Sequence, residues 1–318
     1  MGYSGRCQKS KQFRNIFDCK IDFDGKVYLL LLQPEIAIPM KAKERKVILV
    51  TGASSGIGYE TALLLAQQGH KVYAAARRFD LMQSLSEEDV TPLKLDVTDE
   101  ASMVACVNHI LNLEGRIDVL INNAGYGYLG AIENVTMEEA RRQLEVNVFG
   151  LARLCQLVLP SMREHGKGRI INTSSVAGKA VLYFGGWYNV SKFSVEAFSD
   201  ALRMETQPFG IDVVMIEPGG IKTNWGFIAA DHLAESSKGT PYEKEALREA
   251  QSMRKTYSMR FLSKPTVVAK AICRAVNSRR PRTRYRVGMG ANAIVFFHWL
   301  LPTRWWDGIG RMLGKVNF

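Results

Sequence analysis

Apolar runs alternate with helical patterns along the chain from residue 46 onward. Residues 46–51 read KVILVT, a continuous apolar run that is typical of a parallel strand buried on both faces. Residues 56–69 carry apolar side chains at helical spacing and end in Gly69, which predicts a helix with a glycine at its carboxyl end. This strand and helix form the first unit of a pattern that recurs downstream.

The same alternation continues for most of the chain. It predicts further helices over 99–112, 136–161 and 188–206, and strands over 71–76, 91–97, 117–123, 168–175, 211–220 and 284–288. Strands separated by helices indicate a doubly wound parallel sheet with right-handed crossovers. The predicted fold class is therefore α/β, with a single domain over residues 46–290.

Two segments depart from this rhythm. Residues 1–45 are polar and irregular, and we predict either an N-terminal extension or a natural start at Met40. Residues 221–265 are also polar, with one helix predicted near 242–256. Insertions after the strands of an open α/β sheet lie over the ligand crevice, so the second segment is predicted to be a helical substrate lid.

The bulk composition excludes several classes of protein. The 318 residues are 47% hydrophobic and 23% charged, which suits one large globular domain. The five cysteines and five histidines are scattered without metal-ligand spacing, so we predict no metal site and a reducing, cytoplasmic compartment. No apolar run approaches the ~20 residues that span a bilayer, and no secretory signal is evident.

A glycine-rich turn, TGASSGIG at 51–58, joins the first strand to the first helix. Gly52 permits a tight turn, and Gly56 and Gly58 would let a pyrophosphate approach the backbone at the helix N-terminus. The spacing differs from the G-x-G-x-x-G fingerprint, so a purely structural turn is the alternative. Its position between a strand and a helix favours a nucleotide site.

A second group of polar residues is expected at the same edge of the sheet. Tyr188 and Lys192 are four residues apart and would share one face of a helix, although such pairs are common on surfaces. Ser175 ends the strand upstream, and Asn147 lies on the preceding predicted helix. These side chains could converge beside the glycine turn.

Taken together, these motifs resemble the short-chain dehydrogenase/reductase family. The matching segments cover roughly residues 46–290 in family order: TGASSGIG at 51–58, NNAG at 122–125, Asn147, Ser175, YNVSK at 188–192 and EPGGIKT at 217–223. The resemblance implies a Rossmann fold, an enzyme acting on CH–OH groups, and catalytic roles for Asn147, Ser175, Tyr188 and Lys192. It also implies a homo-oligomer, a dimer or tetramer, paired through the long helices at 136–161 and 188–206.

The resemblance further implies where a nicotinamide dinucleotide would bind. Asp96 would meet the adenine, Asn123 the ribose region, and residues 218–223 the nicotinamide amide. The complete predicted set of cofactor contacts is Gly52, Ser54, Ser55, Gly56, Ile57, Gly58, Arg77, Arg78, Asp96, Val97, Asn123, Ala124, Gly125, Tyr188, Lys192, Pro218, Gly219, Ile221 and Thr223.

The chemistry expected of the polar group follows from its residue types. Reduction of a carbonyl needs a proton donor beside the oxygen, and a free phenol has a pKa of ~10. An ammonium about 4 Å away would favour the phenolate by roughly 4 kcal/mol, which predicts that Lys192 lowers the pKa of Tyr188 towards ~7. Burial of the phenol opposes this shift, so ~7 is the largest effect expected. Ser175 would hold the substrate oxygen, and Asn147 could order a water that relays protons to Lys192.

The end of the second strand predicts the choice of cofactor. Ala76 stands where NAD-specific family members carry a carboxylate, and Arg77 and Arg78 follow it. A guanidinium binds a dianionic phosphate well, so we predict that NADP(H) is preferred and that Arg77 bears most of the discrimination. The alternative is two solvated charges, and it applies more strongly to Arg78.

The tail at 291–318 combines aromatic and basic residues. Nine basic residues and one acidic residue lie between Arg274 and the end, out of a net charge of +11. Nucleic-acid binding is not predicted, because no recognition-helix pattern is present. The tail either lies on an anionic membrane surface as an interfacial helix, or packs on the domain and covers the pocket.

Both interpretations of the tail favour a lipophilic substrate. The leading functional prediction is an NADP(H)-dependent oxidoreductase that interconverts a lipophilic ketone or aldehyde with its alcohol. Loosely similar tails occur in family members that act on steroids, retinoids or long-chain carbonyls. The alternative is a catalytically idle NADP-binding scaffold or sensor of the same fold.

Overall fold

The computed structural model describes residues 17–21, 27–31 and 44–313, and the chain divides into two compact units at Glu44 and Arg45. In the first unit, β1 (Phe17–Ile21) pairs antiparallel with β2 (Val27–Leu31). The remaining residues up to position 43 lie outside the described parts. The choice between an extension and a start at Met40 therefore stays a prediction.

The second unit is built on a seven-stranded parallel sheet. Its strands are β3 (Val47–Thr51), β4 (Lys71–Ala76), β5 (Val90–Lys94), β6 (Val119–Asn122), β7 (Gly168–Thr173), β8 (Ile211–Pro218) and β9 (Arg284–Val287). They lie in the order β5-β4-β3-β6-β7-β8-β9, and each neighbouring pair is parallel. The predicted doubly wound sheet is confirmed, and its order reverses between β3 and β6, where such sheets leave a crevice.

Ten α-helices are found in the described part of this unit. They are α1 (Gly56–Ala66), α2 (Glu100–Glu114), α3 (Met137–Leu144), α4 (Gly150–Glu164), α5 (Gly186–Thr206), α6 (Trp225–Ser236), α7 (Glu243–Ser258), α8 (Pro265–Asn277), α9 (Ala291–Leu300) and α10 (Thr303–Leu313). One core packs α2, α4 and α5 against one face of the sheet, and a second packs α1 and α8 against the other. Strands buried on both faces explain the continuous apolar runs of the sequence.

The structure departs from the predicted elements at three places. The single helix predicted over 136–161 is interrupted by a π-helical turn at Glu145–Phe149, which separates α3 from α4. The segment 221–265 contains α6 as well as the predicted α7, because α6 begins at Asn224 without a side-chain cap that could mark it. Helix α8 was also not predicted. Among the described residues, no helix is both long enough and apolar enough to cross a membrane.

Arg169 ties one end of the sheet to α8. Its guanidinium donates to the carbonyl oxygens of Ala275, Val276 and Ser278 at the end of α8, and to Asp212 on β8 with an Nη2–Oδ2 distance of 2.5 Å. The side chain is buried, so these partners satisfy its charge where water cannot reach it. One residue thus holds together β7, β8 and α8.

We therefore expect Arg169→Met to lower the free energy of unfolding by about 2–3 kcal/mol, because the carbonyl oxygens of Ala275, Val276 and Ser278 lose their donor. The matched control is Arg254→Met, which removes an exposed pair with Asp231 and should cost about 1 kcal/mol or less. Denaturant unfolding of both variants measures the difference. Equal costs for the two changes would contradict this account of Arg169.

Candidate active site

The carboxyl ends of β3 and β6 are joined by hydrogen bonds at the point where the strand order reverses. The Thr51 hydroxyl oxygen accepts from the backbone N–H groups of Asn123 and Ala124, both at 3.1 Å. The Asn123 side-chain amide donates to the carbonyl oxygens of Thr51 and Gly52, at 3.2 and 3.3 Å. Asn123, predicted as a ribose contact, therefore also stabilises the glycine turn. Thr51 was not predicted to belong to the site.

The glycine turn brings backbone close to backbone. A Cβ atom on Gly52, whose φ is +67°, would lie 2.7 Å from the Cα of Ala124, and one on Gly58 would lie 2.4 Å from the Gly52 oxygen. Ser55 provides no side-chain cap for α1, whereas α2 and α3 are capped by Asp99 and Thr136. The first N–H groups of α1 therefore remain available for an anion. This arrangement fits the diphosphate of a dinucleotide.

Three of the four predicted catalytic side chains meet at the amino end of α5. Tyr188 and Lys192 lie on one face of this helix and are buried, and the Lys192 ammonium is 5.9 Å from the centre of the Tyr188 ring. Lys192 donates to the carbonyl oxygen of Thr173 at 2.9 Å. Ser175 follows β7, forms a hydrogen bond with Tyr188, and caps the next turn by accepting from the N–H of Ala177 at 3.1 Å.

Asn147, the fourth predicted residue, lies in the π-helical turn between α3 and α4. Its side-chain amide donates to the Tyr126 carbonyl at 2.8 Å and to the Ser191 hydroxyl at 3.0 Å, and its carbonyl oxygen accepts from the Tyr126 N–H at 3.0 Å. A Cβ atom on Gly125 would lie 3.1 Å from that oxygen and 3.8 Å from the Lys192 nitrogen. Asn147 therefore fixes the backbone that faces Lys192. Its side chain is occupied by protein groups.

Burial governs the ionisation of the Tyr188–Lys192 pair. Burial raises the pKa of Tyr188 to about 12, against the opposing effect of the hydrogen bond from Ser175. Burial also lowers the pKa of Lys192 to about 8, and the carboxylate of Glu196 acts in the opposite direction. The prediction that Lys192 lowers the pKa of Tyr188 towards ~7 is wrong for this site. A fully enclosed phenol loses more by giving up water than it gains from the ammonium.

Other predicted cofactor residues lie after β5 and at the end of β8. Asp96 accepts from the N–H and hydroxyl of Thr98, and these bonds, with Arg77 and Arg142, lower its pKa although burial opposes them. Val97 packs so closely on the start of α4 that a Cβ on Gly150 would lie 2.2 Å from its oxygen. At the opposite side, Pro218 ends β8 and is followed by Gly219, Ile221 and Thr223, and the Thr223 methyl group faces Gly56.

The two arginines after β4 point in different directions. Arg78 donates to the hydroxyls of Ser54 and Ser55, with nitrogen–oxygen distances of 3.0 and 3.2 Å, and so lies on the glycine turn. Arg77 lines a groove of about 590 Å³ together with Asp96 and its neighbours on the adenine side. The structure thus places Arg78 beside the glycine turn, whereas the sequence favoured a solvated charge for Arg78 and gave most of the discrimination to Arg77.

An aromatic group over Tyr188 was missed by sequence reasoning. The Trp225 ring centre is 5.1 Å from that of Tyr188 and 6.2 Å from that of Tyr257. A Cβ on Gly127 would lie 2.6 Å from the Trp225 ring, and one on Gly226 only 2.3 Å from the Tyr257 ring. The one available signal was a lone tryptophan two residues after Thr223, in a polar segment.

Comparison with known proteins agrees with this geometry. The family described as short chain dehydrogenase matches residues 46–228. The chain is 36% identical to a probable short-chain type dehydrogenase/reductase, VdlC, of Helicobacter pylori, over 83% of this chain and 96% of that protein. The chain belongs to the short-chain dehydrogenase/reductase family. Its members are oxidoreductases, so the protein is assigned as an enzyme acting on CH–OH groups.

Further members extend the comparison. The chain is 39% identical to a 3-ketodihydrosphingosine reductase of Bacteroides thetaiotaomicron, over 76% of this chain and 88% of that protein. A crystal structure of a short-chain dehydrogenase from Streptomyces avermitilis superposes with a TM-score of 0.71 at 32% identity, covering 86% of this chain and 96% of that one.

Solved members of the short-chain dehydrogenase/reductase family differ in their nucleotide. Serine dehydrogenase complexed with NADP+ has a TM-score of 0.67 at 26% identity, covering 76% of this chain and 94% of that one. A Burkholderia phymatum member in complex with NAD shares the fold, with a TM-score of 0.67 at 24% identity and coverages of 77% and 90%. Proteins of this fold thus occur with either nicotinamide dinucleotide.

The hydrogen bonds of Thr51 at the glycine turn predict that two buried threonines, Thr51 and Thr61, respond differently to the same substitution. Thr51→Val would leave two backbone N–H groups unpaired, so we expect it to lower the free energy of unfolding by roughly 1–3 kcal/mol and to weaken nucleotide binding. Thr61→Val is the control, because the Thr61 hydroxyl only donates to a carbonyl within α1. Denaturant unfolding and nucleotide titration measure both variants. A Thr51→Val variant with wild-type stability and nucleotide affinity would contradict this role of Thr51.

Proposed function

We propose that the protein is an NADP(H)-dependent oxidoreductase that interconverts a lipophilic ketone or aldehyde with its alcohol. The observation that carries the proposal is the burial of Tyr188 and Lys192, with Ser175 hydrogen-bonded to Tyr188, beside a glycine turn with an uncapped helix N-terminus. An idle scaffold has no need for a buried lysine beside a buried phenol, because burying both groups costs stability. The proposal therefore favours an active enzyme.

In the proposed reaction, Tyr188 is the acid that protonates the substrate oxygen. Bound NADPH would supply the hydride to the carbonyl carbon, while the Tyr188 hydroxyl gives its proton to the carbonyl oxygen. The Ser175 hydroxyl orients that oxygen, and the Lys192 ammonium stabilises the phenolate left behind. Asn147 holds the segment at Gly125 and Tyr126 in place beside Lys192.

The ionisation of the pair favours the reductive direction. Because burial raises the pKa of Tyr188 to about 12, the phenol is protonated at neutral pH and is ready to donate. Alcohol oxidation would need the phenolate, which is scarce until the pH rises or a bound positive charge lowers this pKa. We therefore propose carbonyl reduction as the working direction near pH 7.

The proposed preference for NADP(H) rests on charge at the end of β4. Ala76 offers no carboxylate that would repel a 2′-phosphate, and the hydrogen-bond partners of Arg78 are the neutral hydroxyls of Ser54 and Ser55. Its positive charge is therefore not compensated by those partners. Arg77, whose charge is shared with Asp96, would contact the phosphate from the adenine side.

The proposed lipophilic substrate rests on the aromatic group above Tyr188. Trp225 and Tyr257 cover the phenol, and Phe184 belongs to the same apolar cluster. Such walls favour apolar ligands. The relative named 3-ketodihydrosphingosine reductase supports the same class, since its name denotes a lipid ketone. Steroid and retinoid carbonyls remain within the proposed class.

We also propose that the enzyme is a homo-oligomer paired through α4 and α5. Phe149 precedes α4, and Val190 and Phe193 lie on α5; all three side chains are exposed in the single chain. Exposed apolar side chains on long helices are suited to burial against a second copy.

Removal of the Tyr188 hydroxyl tests the chemistry directly. Tyr188→Phe should lower kcat for carbonyl reduction by at least roughly 10²–10⁴-fold, because the proton donor is gone, while NADPH affinity stays within about twofold. The control is Tyr183→Phe, which removes a hydroxyl bound to Glu245 at the rim of the lid. Full turnover by Tyr188→Phe would rule out the assignment.

The same site predicts a pH profile. Because the pKa of Lys192 is lowered to about 8, kcat/KM for carbonyl reduction should be flat below that pH and fall about tenfold per unit above it. In Lys192→Arg the residual activity should lack this fall, since a guanidinium stays charged. An unchanged profile in that variant would remove Lys192 from the mechanism.

Steady-state kinetics with both nucleotides test the cofactor preference. Arg77→Ala and Arg78→Ala should each raise KM for NADPH at least about tenfold and leave KM for NADH nearly constant, because only NADPH carries the 2′-phosphate. Ala76→Asp should reverse the preference by repulsion. Equal changes for the two nucleotides would count against the proposal, and a larger effect at Arg78 would support its place on the turn.

A further inference from the structure

Helices α9 and α10 expose aromatic and aliphatic side chains that a tail packed on the domain would bury. Trp299 is 78% exposed and Trp305 is 66% exposed. The exposed apolar residues of the two helices, which we call the tail patch, are Phe296, Phe297, Trp299, Leu300, Trp305, Ile309 and Met312. A water-exposed cluster of this kind marks a surface that meets a protein or a membrane.

Helices α9 and α10 pack against each other. On α10, Trp305, Ile309 and Met312 are spaced four and three residues apart and lie on one face. The Trp306 ring of α10 packs edge-on against His298 of α9, with ring centres 5.2 Å apart. That contact uses the inner faces of the helices and leaves the tail patch outward. The tail therefore covers the domain only in part.

Two arginines flank the aromatic side chains of α10. Arg304 and Arg311 are exposed, and Asp307 is the one acid between them. Aromatic side chains flanked by arginines match an anionic lipid surface, because the rings enter the headgroup region while the arginines meet phosphates and carboxylates.

The tail patch also borders the lid. Helix α9 contacts the turn that Ser175 caps. Arg311 lies near enough to Tyr183 to act on its pKa, which burial and a hydrogen bond to Glu245 nevertheless raise to about 12. A surface on which the tail patch docks would therefore lie next to the route to the site.

We propose that the tail patch docks the protein on an anionic lipid bilayer, with the lid side of the site facing the membrane. The docking itself stands on the exposed rings and arginines of the tail. The use of that surface to take up a lipid carbonyl rests in addition on the proposed function.

Vesicle flotation of the full chain, without cofactor or substrate, tests the docking. We expect binding to vesicles of phosphatidylcholine and phosphatidylserine, weaker binding to phosphatidylcholine alone, and loss of the difference when salt is raised from about 0.1 to about 1 M. The double variant Trp299→Glu/Trp305→Glu, and separately Met312→Glu, should lower the partition coefficient at least tenfold.

The matched control is Leu113→Glu. Leu113 is 63% exposed and Met312 is 61% exposed. Leu113 lies in the last turn of α2, which leads to the amino end of β6, whereas the tail follows the carboxyl end of β9. Leu113→Glu should leave flotation unchanged. Far-ultraviolet circular dichroism and the thermal midpoint, both expected to match the wild type, show that each variant is folded.

Three outcomes would overturn the proposal. One is a wild-type chain that does not float with anionic vesicles, and another is equal loss in Leu113→Glu and Met312→Glu. The third is a smaller oligomer mass for the tail variants than for the wild type, measured by light scattering, together with no vesicle binding by the wild type. That result would assign the tail patch to contact with a second copy of the chain. Turnover of a water-miscible carbonyl separates the two proposals, because a chain that floats but reduces no carbonyl keeps the docking and loses the function.

Discussion

The hydrogen bonds between Thr51 and the segment at Asn123 fix the positions on which the rest of the site depends. They hold β3 and β6 together where the strand order reverses, so close that only glycine fits at position 52. On one side this leaves the start of α1 open to an anion. On the other side the same segment runs on to Gly125, which Asn147 holds against Lys192. A single cross-strand contact thus sets the distance between the glycine turn and Lys192.

Burial and charge compete at Tyr188, and the outcome decides what the residue can do. An ammonium at about 4 Å is worth roughly 4 kcal/mol at a dielectric of ~20, which is the basis for expecting an acidic phenol. Enclosure of both groups removes water from the phenolate and also from the ammonium, whose pKa falls to about 8. The enclosed pair is best suited to giving a proton to a substrate and receiving its replacement afterwards. It is poorly suited to keeping Tyr188 as a phenolate before substrate binds.

The parts of the fold that sequence reasoning could find are those in which local pattern and burial agree. Residues 46–51 are apolar because β3 is buried on both faces, and Tyr188 and Lys192 share a helix face through their spacing alone. The π-helical turn at Asn147 changes the spacing of apolar residues too little to be recognised in the sequence. The direction of Arg78 depends on a backbone φ of −84° and ψ of 75° after the strand, which no spacing encodes. Trp225 gained its place over Tyr188 only through the tertiary packing of α6.

The packing of α6 on α7 suggests why the cover over the site differs in stability from the sheet. The two helices meet through the buried alanines Ala229, Ala230, Ala246 and Ala250, and through ring contacts of Trp225 and Phe227 with Tyr257. Alanine allows close approach but buries little apolar area, and the exposed pair of Arg254 with Asp231 adds about 1 kcal/mol or less. Because the apolar cluster at α6 and α7 is smaller than either core of the sheet, we infer that separating the two helices costs less than disrupting either core. Separation of α6 from α7 would uncover Tyr188 and leave the hydrogen bonds of Thr51 intact. Substrate entry and the geometry of the site can therefore be independent of each other.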